Sequence, residues 1–333
     1  MAPKIQPEVA VQDFLADRES EVRRESLRNY KYTLKTLIQF CEKREIEYVN
    51  DLDGYTLKQY KLYRASDDIN QVTLKNNLST IRVFVRWCEQ AGLVEKGLAE
   101  MVQLPSLSKQ ERVDQTMLSS DRVEEILDYL YTFEYAHRRH AVFELMWHTC
   151  MRVGTVCALD LDDYHPKQGY VEVRHRPETD TPLKNGYEAE REVNLSEGVR
   201  KVLDDYIKVH RNKVTDKHGR EPLFTTIQRA SHNVIRKNFY ALTRPCETSG
   251  YCPHDREISE CEATIVKQAS KCPSSVSPHP VRRSAITYHL NRGWPQEKLS
   301  ERANVSVDVL EEHYDGRTKQ EKRIGRQRYL DKL

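Results

Sequence analysis

Apolar positions recur at helical spacing throughout the first hundred residues. Val9, Val11, Phe14 and Leu15 predict one helix, and Leu27, Tyr30, Leu34, Leu37, Ile38 and Cys41 predict a second over 22–44. A weaker pattern over 51–64 predicts a third. Val72, Leu74, Leu78, Ile81, Val83, Phe84, Val85 and Trp87 predict a fourth over 69–92. Helices with one apolar face each and short connections make a bundle. Periodicity stops over 104–116, a polar stretch containing Pro105 that reads as a linker. The chain is therefore divided into a helical domain at 1–103, a linker at 104–116 and a second domain at 117–333.

The second domain opens with Ser119 or Ser120 as a helix cap before Val123, Ile126, Leu127 and Leu130. A helix from about residue 135 carries Val142, Phe143, Leu145, Met146 and Trp147 and runs into Arg152, with Val156, Leu159 and Leu161 beyond it. Residues 170–175 and 190–195 alternate as strands, and Lys184-Asn185-Gly186 between them is a turn signal. Further helices are predicted over 196–209 and 231–243. Ser277 and Pro278 start another, with Val281, Ala285, Ile286 and Leu290 inside until Gly293 closes it. Pro295 begins a short helix, and Ser306 caps one that ends near Tyr314, one turn past Leu310. The fold class is mainly α with a small β-sheet, an N-terminal helical bundle followed by an α+β domain.

With 333 residues, each half can bury a core of its own. The net charge is only +2, so choice of partner rests on where cations cluster. They cluster on the polar faces of two N-terminal helices: Arg23, Arg24, Arg28, Lys31 and Lys35 on one, and Lys75, Arg82 and Arg86 on the other. Such a face is either simply solvated or grips a nucleic-acid backbone by displacing its counterions. No apolar run has the length of a membrane span or the form of a signal peptide, so the expected setting is cytoplasmic, with no membrane partner. In a reducing compartment the eight cysteines are core thiols or metal ligands. Cys41, Cys88, Cys150 and Cys157 lie in apolar helical surroundings and read as small core residues. Cys246, Cys252, Cys261 and Cys272 crowd into a Cys-rich insert at 245–273. A structural Zn2+ is expected there on these four thiolates, with His254 as substitute ligand.

His279 and Arg282 lie three residues apart at a predicted helix start, where free N–H groups and a guanidinium favour a phosphate. A His-x-x-Arg helix start followed some thirty residues later by Tyr314 resembles the tyrosine recombinases, the integrase family with its Xer-like members. The arginine just past a helix end, Arg152, resembles that family's first arginine box, and Lys184 in the hairpin resembles its mobile lysine. The four boxes also stand in the family's order. The resemblance implies a SAM-like core-binding domain and a recombinase catalytic domain. It further implies that Tyr314 attacks a DNA phosphodiester to give a 3′-phosphotyrosyl enzyme and a free 5′ hydroxyl, with no cofactor for catalysis. Arg152 and Arg282 would stabilise the pentavalent transition state, His279 would act as general base or phosphate ligand, and Lys184 would protonate the departing oxygen. The partners implied are double-stranded DNA carrying a specific site and further copies of the chain, a tetramer on two duplexes. Two positions depart from the family pattern. Thr155 stands where an acidic residue usually supports the arginine, and Asn304 stands near the place of a His or Trp, able to donate a hydrogen bond instead. Two alternatives stay open: a type IB topoisomerase, which shares the tyrosine chemistry, and a non-catalytic DNA-binding protein with a zinc subdomain.

Overall fold

The computed structural model describes residues 3–330. It divides into two compact units, Met1–Asp114 and Gln115–Leu333. Among the described residues no helix is long and apolar enough to cross a membrane.

The first unit is built from α1 (Pro7–Glu19), α2 (Arg24–Lys43), α3 (Gly54–Ala65) and α4 (Gln71–Gln90). Two starts are capped by side chains that accept an otherwise orphaned amide: Asp53 from Thr56 at 2.7 Å and Asn70 from Thr73 at 2.8 Å. The apolar stripes meet inside. Leu34, Leu37, Phe40 and Cys41 of α2 and Leu78, Ile81, Phe84 and Cys88 of α4 are almost wholly buried, and the Phe14 ring stands edge-on to Phe84 and Trp87. Polar bridges cross this core: Thr33 donates to the Asn77 side-chain oxygen at 3.2 Å, and the Thr36 and Tyr60 hydroxyls share a hydrogen bond at 2.7 Å. Within the stretch read as a linker, the structure forms a single turn, α5 (Lys109–Arg112). Ser108 and Glu111 cap one another's amides across it, an S-x-x-E signature that hydrophobic periodicity does not register.

The second unit contains α6 (Ser120–Phe133), α7 (Arg138–Thr149) and α8 (Val153–Ala158), then a three-stranded antiparallel sheet. Its strands β1 (Tyr164–His165), β2 (Tyr170–Val173) and β3 (Arg191–Asn194) lie in the order β1-β2-β3, with Val171 opposite Val193. β1 is two residues long, too short to leave a periodic signal. There follow α9 (Glu197–Asp205), α10 (His232–Leu242), α11 (Pro245–Ser249), α12 (Pro278–Asn291), α13 (Gln296–Ala303), α14 (Val307–Val309) and α15 (Lys319–Leu330). α7 and α12 form the middle of this unit and are buried on nearly every face, including His140, Glu144, Arg282 and Arg283. The basic end of the chain is helical as α15, while 331–333 lie outside the described residues.

A buried ion network ties the sheet to the loop before α10. Asp163, fully buried, accepts two hydrogen bonds from Arg176 at 2.5 and 3.0 Å. Arg229 bridges Asp160 at 2.6 Å and Asp216 at 2.7 Å, and Arg220 reaches the same two carboxylates at 3.4 and 3.2 Å. Arg174 pairs with Glu172 and lies 3.5 Å from Asp163. Burial by itself would raise the Asp216 carboxyl. The Arg229 hydrogen bond, the Arg220 and His218 amides and the Arg220 charge outweigh it and hold that carboxyl well below the usual carboxylate range.

Candidate active site

α12 supplies the centre. Pro278 fits its first turn because a proline there sacrifices no hydrogen bond, and the helix then carries His279 and Arg282 at its start. Arg282 is 1% exposed, yet it has no carboxylate partner among the described residues. Its Nη1 donates to the Cys150 carbonyl at 2.6 Å. Cys150 caps α7 in the left-handed conformation (φ 55°), and the carbonyls at a helix end carry partial negative charge, so a cation is welcome there. Nε and Nη2 of Arg282 are buried with no hydrogen-bond partner, an arrangement that proteins rarely leave unused. Burial pulls this guanidinium down to about 10, with the Tyr314 phenol raising it and Arg152 lowering it; it remains charged at neutral pH.

Tyr314 lies against this cation, its ring centroid 5.1 Å from the Arg282 Cζ and 5.4 Å from the His279 ring. Tyr314 is buried, whereas His279 is exposed. Regular α-helix is the sequence expectation here, but the backbone widens after α14 into a π-turn over Leu310–Tyr314, closed by Asp315 N–H donating to the Leu310 carbonyl at 2.8 Å. Thr287 of α12 holds that turn. Its hydroxyl donates to the Tyr314 carbonyl at 2.8 Å and accepts from the Gly316 amide at 3.1 Å.

Arg152 stands at the start of α8. Its Nη1 donates to the Asn304 backbone carbonyl at 2.8 Å and to the Asn304 side-chain oxygen at 3.2 Å. Asn304 ends α13 in the left-handed region (φ 51°), which asparagine tolerates better than most residues. Its amide is fully engaged. Nδ2 donates to the Glu188 carbonyl at 3.1 Å, and Oδ1 also accepts from Asn185 at 2.8 Å. Asn304 thus buttresses Arg152 from the far side, where Thr155, buried within α8, has no charge to offer. Lys184 is exposed on the hairpin, next to the Asn185 that touches Asn304.

Two further arginines join the cluster, and neither was singled out from the sequence. Arg191, the first residue of β3, donates from Nε to the Arg302 carbonyl at 2.9 Å and from Nη1 to the Ala189 carbonyl at 2.7 Å. Arg302 donates twice to the His148 carbonyl, at 3.2 and 2.9 Å, and lies over the Trp294 ring. Burial lowers the Arg191 guanidinium to about 10, and the charges of Arg282, Arg152 and Arg302 push in the same direction. A signal for Arg191 did exist: it shares a strand face with Val193, which is 1% exposed, and an arginine on a core-facing position requires partners.

An arginine cluster around a tyrosine has the donors and charge to draw in a phosphodiester anion. The profile of the phage integrase family matches residues 116–306, and that of the phage integrase SAM-like domain matches 9–102. The chain belongs to the phage integrase family. Tyrosine recombinase XerC of Pseudomonas syringae pv. tomato is 27% identical over 156 residues, 46% of this chain and 51% of that one. Tyrosine recombinase XerD of Oceanobacillus iheyensis is 22% identical over 289 residues, 86% of each chain. The chain thus spans about half the length of the XerC relatives it matches. In fold it is similar to the Tn1549 transposon integrase in complex with a circular intermediate DNA, with a TM-score of 0.67 at 14% identity over 99% of this chain and 100% of that one. It is similar also to a lambda integrase dimer bound to a COC′ core site, with a TM-score of 0.65 at 12% identity over 94% of this chain and 77% of that one.

The second unit also carries the Cys-rich insert, and there the zinc expectation needs correcting. Among the described residues no group of three or more His, Cys, Asp or Glu side chains is arranged to hold a metal ion. His254 instead bonds Ser274 at 2.8 Å, and Cys272 is buried. Burial raises the Cys246 thiol, opposed by Arg244 and helped by the neighbouring Cys272 and Cys252. What visibly holds the insert is arginine: buried Arg244 donates to the Ala263 carbonyl at 2.8 Å and pairs with Glu247, and Arg122 of α6 donates to the Arg244 carbonyl at 2.9 Å.

In the SAM-like unit, Arg23, Arg24, Arg28, Lys31 and Lys35 lie exposed at and along α2, and Lys75 is half-buried. Arg28 is 3.4 Å from Glu25. Arg82 and Arg86 are committed within the unit, Arg82 to the Val102 carbonyl and Arg86 to Glu100 at 2.6 Å.

Proposed function

We propose that this chain is a site-specific DNA recombinase that cleaves and rejoins DNA through Tyr314. The phenolic oxygen attacks the scissile phosphorus and the P–O5′ bond breaks, leaving a 3′-phosphotyrosyl enzyme and a 5′ hydroxyl. His279 takes the phenolic proton and Lys184 gives one to the departing 5′ oxygen. A 5′ hydroxyl from a second strand then reverses these steps and rejoins the backbone. Bond energy is kept in the phosphotyrosine, so the steps balance without a cofactor.

The observation that carries this reading is Arg282: a buried guanidinium against the Tyr314 ring, with Nε and Nη2 outside the hydrogen bonds of the structure and no carboxylate partner among the described residues. An anion with two oxygens to present fits those donors, and the charge that builds on them in a pentavalent transition state would be stabilised most. Arg152, braced by Asn304, adds a second guanidinium. With Asn304 as that brace, the absence of an acidic residue at Thr155 does not leave Arg152 unsupported. We place the exposed cations of α2 on the DNA backbone, two pairs of subunits on two duplexes, and the activity in the cytoplasm. Incubation with a nicked suicide duplex is expected to yield a covalent protein–DNA adduct, and Tyr314→Phe none. An adduct of equal yield in Tyr314→Phe would remove Tyr314 from the chemistry.

A further inference from the structure

Arg191 belongs to no part of the mechanism above, yet it is tied into it at both ends. One end of its guanidinium holds the Arg302 carbonyl, two residues before the Asn304 that receives Arg152. The other holds the Ala189 carbonyl, next to the Glu188 carbonyl on which the Asn304 amide rests. The β2–β3 hairpin arm and the turn after α13 are therefore clasped twice, once through Asn304 and once through Arg191. Both acceptors are neutral carbonyls, so the charge of Arg191 is spread over backbone dipoles and not cancelled. No carboxylate pairs with Arg152, Arg191, Arg282 or Arg302 among the described residues, although an arginine withdrawn from water is ordinarily paired. Placing like charges together inside a protein is unfavourable unless an anion arrives to share.

We infer that Arg191 is a positioning residue of the cleavage centre. It braces the turn that orients Arg152, and its uncancelled charge adds to the field felt by the scissile phosphate. The inference rests on the proposed recombinase reading. A planar fork that spans two carbonyls is a task for arginine, since a lysine ammonium is a single point on a flexible stem.

The test compares single-turnover adduct formation on a saturating suicide duplex with DNA affinity and melting temperature. Arg191→Ala is expected to slow adduct formation by about 10²-fold while affinity changes less than about threefold, the pattern of a lost transition-state contact. Arg191→Lys is expected to recover about tenfold of that loss, because it restores charge without the two-point brace. A structural role alone would lower the melting temperature and leave the rate per folded molecule intact. Arg191→Ala within about twofold of the wild-type rate overturns the inference, and so does a rate that falls only in step with affinity. Should Arg191→Ala fail to fold, Arg191→Lys decides: a wild-type rate overturns the inference, and a tenfold deficit with unchanged affinity supports it. If the wild-type protein itself forms no Tyr314-dependent adduct, the recombinase reading fails and the inference with it; an adduct in wild type alongside an unaffected Arg191→Ala sinks the inference alone.

Discussion

The second unit contains two arginine clusters, both largely withdrawn from solvent. Around the sheet, Arg174, Arg176, Arg220 and Arg229 meet four carboxylates, those of Asp160, Asp163, Glu172 and Asp216. In the Tyr314 cluster, Arg152, Arg191, Arg282 and Arg302 hydrogen-bond to backbone carbonyls and one asparagine oxygen, Arg282 and Arg302 also lie against the Tyr314 and Trp294 rings, and no carboxylate pairs with any of the four among the described residues. In the first, each charge taken out of water is returned a partner, so the cluster works as a fastener. In the second, dipoles orient the guanidiniums and leave their charge uncancelled by carboxylates, the condition that the proposed phosphate binding needs. The residue type is the same in both, and the neighbours separate them.

This contrast is most sharply tested where the two clusters should respond in opposite ways to the same substitution. Arg282→Met is expected to reduce adduct formation by about 10³-fold or more, with thermal stability unchanged or raised, because an uncompensated buried charge is removed at the loss of one hydrogen bond to Cys150. Arg229→Met should do the reverse. It takes from Asp160 and Asp216 their shortest ion pairs and leaves them the longer ones to Arg220 and, for Asp160, Arg176, and denaturant unfolding should show a loss of about 3 kcal/mol with little change in rate per folded molecule. Similar stability changes in the two variants would mean that the clusters do not differ in kind.

Acid should separate them too. The Asp216 carboxyl is held below its unfolded value, so the stability it contributes is fully present above the ordinary carboxylate pKa of about 4 and is lost as pH falls toward the folded value. Melting temperature measured from pH 6 downward should therefore fall more steeply below about 4 in wild type than in Asp216→Asn, and Arg282→Met should keep the wild-type slope. The smallest effect concerns the brace. Asn304→Gly retains the left-handed turn and the backbone acceptor for Arg152 but loses the side-chain oxygen, so about a tenfold slower adduct is expected, with stability within about 1 kcal/mol. A wild-type rate in that variant would make the side-chain contact dispensable.

Much of the fold could be read from local pattern. α2 and α4 show their buried faces at 3.6-residue spacing, and Ser119, Ser231 and Ser306 cap helices where a serine precedes an apolar run. The two-residue β1 and the π-turn at Tyr314 could not be read in this way, since one is too short for periodicity and the other is made by the Thr287 contact to the Tyr314 carbonyl. The Cys-rich insert misled for a related reason: crowding along the chain suggests a shared ligand, but convergence of side chains is a property of the folded backbone.

The order of residue types along the chain, by itself, determined the helical character, the small sheet and the presence of arginine, lysine, histidine and tyrosine in a pattern suited to phosphodiesters, because these depend on residues within a turn or two of each other. Only the tertiary structure decided which arginines are neutralised and which stay charged. Arg152 and Asn304 are 152 positions apart, and Arg191 and Arg302 are 111. Contacts at such separation are set by how the two hydrophobic faces of α7 and α12 pack, and no local pattern encodes them.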